Sequence, residues 1–187
     1  MNICDPTKDK MKTIPQYIRK ARALGAREEG LEAEASAAMT TAEEIVQRWP
    51  VWALRVAGCD MSPEQLMAAV QSDGHAVRYL SPEQRTEAVC LAAVEHCGRA
   101  IQHLTFEQRT PAVCIAAVKN YGRAIKFLSR KQQTEDVCVA AVSQNGSAIE
   151  HLTARQRTRA VCRAAVSQDG HAIAYLTPAQ RKQSGLS

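Results

Sequence analysis

The chain has 187 residues, 45% of them from the set AVILMFWYC and only 4% aromatic. That excludes a largely disordered polypeptide and points to a core of small aliphatic side chains. No run approaches the roughly 18 apolar residues of a membrane-spanning helix, and MNICDPTKDKMKTIPQ at the start lacks the apolar stretch of a Sec signal peptide. The net charge of +5 is unevenly placed: residues 1–60 carry nine Lys plus Arg against nine Asp plus Glu, residues 61–187 fifteen against ten.

In chain order, residues 1–40 form an N-terminal segment and a candidate targeting or docking region. Its first thirteen residues are expected to be loose, and an Ala-, Glu- and Arg-rich helix over 14–38 is interrupted near Gly25 and Gly30. Residues 41–61 read as a degenerate capping repeat, with Trp49 and Trp52 covering the first interface. From Ser62 the sequence is periodic. Five 24-residue units occupy 62–85, 86–109, 110–133, 134–157 and 158–181, and 182–187 is a short tail expected to be loose. Each unit contains Ala-Ala-Val (Ala92-Ala93-Val94 in the second), a glycine four residues later (Gly74, Gly98, Gly122, Gly146, Gly170), and then Leu80, Leu104, Leu128, Leu152 or Leu176.

The period predicts two helices per unit. Ser62, Thr86, Thr110, Thr134 and Thr158 stand at N-cap positions, with Pro63 and Pro111 following. The glycine is expected to end the first helix through its tolerance of positive φ, and a second short helix carries the Ala100, Ile101 and Leu104 positions. Ser81, Thr105, Ser129, Thr153 and Thr177, with glutamine three residues on, form S/T-x-x-Q capping boxes opening a further turn. Helices this short are marginal alone, so the fold class is all-α: an α-solenoid of stacked units with an N-terminal helical cap.

Seven cysteines without a signal peptide predict reduced thiols. Cys90, Cys114, Cys138 and Cys162 recur every 24 residues and no C-x-x-C occurs, so they read as buried small apolar side chains and not as metal ligands.

The unit V-C-x-A-A-V-x-x-x-G-x-A-I-x-x-L resembles the bacterial short-helix repeats catalogued as domain of unknown function 4116, most closely over 137–152 (VCVAAVSQNGSAIEHL). The resemblance covers about two-thirds of the chain; it implies no catalytic residues, and implies an association with virulence effectors and host-interacting proteins. The regular Q-R-T segment and the basic balance depart from that pattern. A weaker resemblance is to leucine-rich-variant repeats, which alternate α and 3₁₀ helices in 24 residues, although their N-P step is absent here.

Near-identical units repeat one residue along a line, whereas catalysis needs different residues converging at a point. No H-E-x-x-H, G-x-S-x-G, P-loop or G-x-G-x-x-G occurs. His75, His96, His103, His151 and His171 lie in different units or positions, which argues against joint metal binding. The chain reads as non-enzymatic, with no cofactor and no metal. Three ladders remain as binding candidates, of which the glutamines Gln84, Gln108, Gln132, Gln156 and Gln180 are already explained by the capping boxes. Tyr79, His103, Phe127, His151 and Tyr175, one ring per unit, either plug gaps between helices or, as a mixture of His, Tyr and Phe, fit a half-exposed protein-binding face, with Arg109, Arg123 and Lys126 setting charge complementarity towards an acidic surface. The alternative is a nucleic-acid scaffold whose Arg85, Arg109, Arg157 and Arg181 contact phosphates, although beside the cap turn the same arginines can satisfy helix C-terminal carbonyls or stay solvated. The expected function is therefore a protein–protein interaction module with a partner of unknown identity, resident in the bacterial cytoplasm or delivered into a host cell by a signal-peptide-independent route, without membrane insertion.

Overall fold

The computed structural model describes residues 61–186 together with Val51 and Leu54. The expected helix of 14–38, the two tryptophans and most of the capping repeat lie outside the described residues. Val51 and Leu54 are helical, and Leu54 is buried in the same core as the units that follow.

The described chain is helical, with no strand among its residues. The α-helices are α1 (Pro63–Ser72), α2 (Glu87–His96), α3 (Pro111–Asn120), α4 (Glu135–Gln144), α5 (Arg159–Gln168) and α6 (Pro178–Ser184). Between them run six-residue 3₁₀ helices at Gly74–Tyr79, Gly98–His103, Gly122–Phe127, Gly146–His151 and Gly170–Tyr175. Each α-helix packs on the next, α2 to α5 also pack on the 3₁₀ helix before them, and consecutive six-residue 3₁₀ helices touch, giving two rows of elements with nearest-neighbour stacking.

The N-caps form as expected. Thr110 Oγ1 accepts from Val113 N–H at 3.4 Å, and Ser62, Thr86, Thr134 and Thr158 repeat the contact at 3.3–3.5 Å. In the capping boxes, Ser81 N–H donates to Gln84 Oε1 at 2.9 Å, with the same bond at Thr105, Ser129, Thr153 and Thr177. Cys90, Cys114, Cys138 and Cys162 are at most 1% exposed, each among Val and Ala of its own helix.

The second short helix of each unit forms as expected and is of 3₁₀ type: Cys97, at the end of α2, takes φ −143° and ψ 103°, and bonds such as Ala100 N–H to Cys97 O (2.8 Å) close three-residue rings. The alternation of α and 3₁₀ is the feature the leucine-rich-variant resemblance implied. Two expectations need correction. The glycines do not need positive φ; among described glycines only Gly185 has it. A Cβ on Gly98 would stand 2.8 Å from Tyr121 Cβ and 3.0 Å from Tyr121 N, and closer still to the carbonyl oxygen of Ala117, so glycine is required by close approach to the next unit. Lastly, residues 182–186 are not loose: α6 runs through buried Ser184, Gly185 caps it at φ 68°, and Leu186 packs on the core.

No helix among the described residues is long and apolar enough to cross a membrane.

Candidate functional site

Tyr79, His103, Phe127, His151 and Tyr175 each end a 3₁₀ helix, directly before the buried leucine that closes the unit. The first four are half-buried, and Tyr175 is 40% exposed. Each of those four has a polar neighbour. The guanidinium carbon of Arg78 lies 4.6 Å from the Tyr79 ring centre, and Lys126 Nζ lies 5.0 Å from that of Phe127. His75 Nδ1 approaches His103 Nε2 at 3.3 Å, the rings meeting edge to face. His151 Nε2 stands 3.3 Å from Glu150 Oε1 without a hydrogen bond, while Arg123 pairs with Glu150.

Burial is the first cause lowering the His103 pKa, with His75, Arg78 and Arg85 adding to it. Burial also lowers that of His151, against the opposing pull of Glu150. Both imidazoles are therefore neutral at pH 7, and the column is an uncharged amphipathic strip. Of the three cations expected beside it, Lys126 is exposed, Arg123 is engaged with Glu150, and Arg109 is turned inward.

The arginine ladder is a set of staples. Arg85 donates through Nε to Leu80 O (3.1 Å) and through Nη1 to His103 O of the next unit (3.0 Å). Arg109 repeats this on Leu104 O and Phe127 O, and Arg157 on Leu152 O and Tyr175 O. Arg181, in the last unit, keeps the bond to Leu176 O at 3.2 Å. The fork of the guanidinium thus satisfies carbonyls at the ends of two successive 3₁₀ helices. Where the ladder is interrupted, buried Gln133 donates to Ile125 O and Leu128 O. Arg130 supplies the missing guanidinium, reaching His151 O, Gln133 Oε1 and Gln156 Oε1.

A second junction element is not evident from residue types. The residue ending each α-helix from α2 to α5 accepts from the glycine N–H of the preceding unit: His96 Nδ1 from Gly74 (3.2 Å), Asn120 Oδ1 from Gly98 (2.7 Å), Gln144 Oε1 from Gly122 (2.7 Å) and Gln168 Oε1 from Gly146 (2.5 Å). Only the shared property of a side-chain acceptor two residues before each glycine could have signalled it.

The His75–His103 contact is likewise invisible to a comparison of equal repeat positions, because the second residue of one 3₁₀ helix meets the last residue of the next. Phe106 is another residue that periodicity does not single out. It is 54% exposed on a cap turn, the most exposed large apolar side chain among the described residues. A cleft lined by Ile173, Pro178, Arg181, Lys182 and Leu186 opens at the C-terminal end. Among the described residues, no three His, Cys, Asp or Glu side chains converge as a metal site would require.

No family model matches the sequence, and no curated protein or solved structure matches it either.

Proposed function

We propose that the array is a non-enzymatic protein-binding module whose partner lies along the ring column. The observation that carries this reading is that each of five successive units presents one ring, Tyr79, His103, Phe127, His151 or Tyr175, at a fixed place between buried core and solvent. Aromatic and neutral imidazole groups held rigidly on a scaffold bury apolar area at small entropic cost while offering hydrogen-bond partners at their edges. Lys126 gives such a strip a positive margin suited to an acidic partner surface. The likeness of the repeat to bacterial 4116-type units extends the proposal to an effector that acts on a host or bacterial protein.

A nucleic-acid reading draws on the +5 charge. It has weaker support, because Arg85, Arg109 and Arg157 direct two or more donors each at backbone carbonyls, leaving fewer for phosphates.

The test is a photo-crosslinking residue placed at 127 or 175 in the full chain, followed by binding measurements with whatever protein it captures. Phe127→Ala and Tyr175→Ala should each weaken that complex by about tenfold or more, with little dependence on salt. DNA or RNA binding that falls steeply with salt, unaffected by the ring substitutions and unaccompanied by any crosslinked protein, would overturn the reading.

A further inference from the structure

Five cysteines lie among the described residues, and four of them are spent. The thiols of Cys90, Cys114, Cys138 and Cys162 are buried, and each points at the backbone carbonyl five residues earlier: Arg85, Arg109, Gln133 and Arg157, at 3.4–3.6 Å. Cys97 differs on both counts. It is half-buried, and its Sγ faces an imidazole nitrogen, His75 Nε2, at 3.4 Å. The other nitrogen of that ring, Nδ1, lies 3.3 Å from His103 Nε2.

Gln102 Nε2, which can only donate, lies 3.4 Å from His103 Nε2 and makes that nitrogen an acceptor, so the three contacts admit one consistent proton arrangement. If the Cys97 thiol donates to His75 Nε2, the hydrogen of neutral His75 sits on Nδ1 and donates to His103 Nε2. His103 must then be a neutral acceptor there, and its burial beside Arg78 and Arg85 keeps it uncharged. A nucleophile, a base within reach and a third group orienting the base is the arrangement that activates a thiol. It arises at the first inter-unit junction because three repeat positions happen to hold these residue types together. Elsewhere position 75 corresponds to Arg99, Arg123, Ser147 and His171, and position 97 to Asp73, Tyr121, Asn145 and Asp169.

We propose that Cys97 is a thiol-modification site that takes low-molecular-weight disulfides, with His75 as its base and His103 as the residue that orients the base. In the step, the thiol proton passes to His75 Nε2 and the Cys97 sulfur attacks one sulfur of the incoming disulfide. A new S–S bond forms as the old one breaks. The departing thiolate takes the proton from His75 and leaves as a thiol, so that Cys97 is oxidised to a mixed disulfide and half of the reagent is reduced. The adduct would sit at the first junction, since the Cβ of Cys97 approaches the Gly74 position, and beside His103 of the ring column.

The test treats the full chain under native conditions with glutathione disulfide and maps the adducts by mass spectrometry against time. Cys97 should be modified at least about tenfold faster than the four ladder cysteines. His75→Ser, which installs the residue unit four carries at the equivalent Ser147, should slow Cys97 about tenfold, and free imidazole added to this variant should restore part of the rate. His103→Phe, matching Phe127 of the next unit, should slow it by a smaller factor and serves if His75→Ser does not fold by circular dichroism. Equal Cys97 rates in the parent and in either folded variant, or ladder cysteines reacting as fast as Cys97, would overturn the proposal.

Discussion

Replacing Gly98 by alanine sets one methyl group against a backbone that has no room for it. The new Cβ would lie 2.8 Å from Tyr121 Cβ and 3.0 Å from Tyr121 N, and closer still to Ala117 O. Two of these atoms are main chain, so no rotamer change relieves the clash; the second and third units must separate. Overpacking of this kind costs about 1–3 kcal/mol. Separation also stretches the bond from Gly98 N–H to Asn120 Oδ1, now 2.7 Å, adding about 0.5–1.5 kcal/mol. Restricting the unfolded chain returns roughly 0.4–1 kcal/mol. A net loss of about 0.5–4 kcal/mol follows. The molecule contains its own control. Gly170 occupies the same repeat position, but a Cβ there would meet nothing within 4 Å and its φ is not positive, so Gly170→Ala should be neutral or stabilising by up to about 1 kcal/mol. Urea unfolding followed by circular dichroism compares the two. The Gly98 variant should also unfold less cooperatively, because a weakened internal junction lets the two sides of a linear array unfold separately. If Gly98→Ala and Gly170→Ala lie within about 0.5 kcal/mol of each other, the close-approach argument is wrong.

Three further outcomes are expected. Arg109→Ala removes two charge-assisted bonds to carbonyls and should cost about 2–4 kcal/mol in urea unfolding, with Arg109→Lys recovering little because an ammonium cannot span both acceptors; Arg130→Ala should weaken the following junction, and adding Gln133→Arg to it should restore most of the loss. Burial raises the thiol pKa of Cys90 and Cys114, and that of Cys138 to about 11, above the ordinary 9.0. Unfolded thiols ionise first, so stability present below pH 9.0 should decline as pH rises towards 11, a decline that Cys138→Ala reduces in denaturation curves taken at successive pH. His103 and His151 have lowered pKa values, so the unfolded chain binds their protons first and stability should fall on acidification below the ordinary 6.5; melting temperatures between pH 7 and 5 should depend less on pH in a variant carrying His103→Phe and His151→Phe.

What the sequence made legible was phase. An apolar pattern repeated five times without a slip identifies units, N-caps, capping boxes and the buried cysteine position, because each depends on residue type at a fixed offset. The 3₁₀ geometry was not legible, since six residues such as GRAIQH carry too few turns to separate a period of 3.0 from 3.6. The role of the glycines was misassigned for a related reason: their constraint comes from the neighbouring unit, which a local reading does not contain. His96, Asn120, Gln144 and Gln168 share a function while differing in name, so no repeated letter betrayed them. In the ring column, residue identities left gap-filling and half-exposure both open, and the structure places four rings half-buried and Tyr175 exposed; the arginines' place beside the cap turn allowed the carbonyl-capping role they take, whereas their span to the next unit needed the path of the main chain.

Arg130 and Gln133 bear on how such an array can lengthen or shorten. Both residues belong to the third unit, and their targets in the fourth are a main-chain carbonyl and the capping-box glutamine Gln156, whose counterpart recurs in every unit. The substitute staple therefore travels whole with its own segment. A duplication or deletion whose breakpoints fall at unit edges leaves every junction with one guanidinium, whichever neighbours are brought together. A recombination breakpoint between residues 130 and 133 does not: joined to a standard unit it produces either two guanidiniums competing for one carbonyl or none. The physical seams of the fold are thus also its permissible genetic seams, and array length can change by 24 residues at a time without new side chains having to arise.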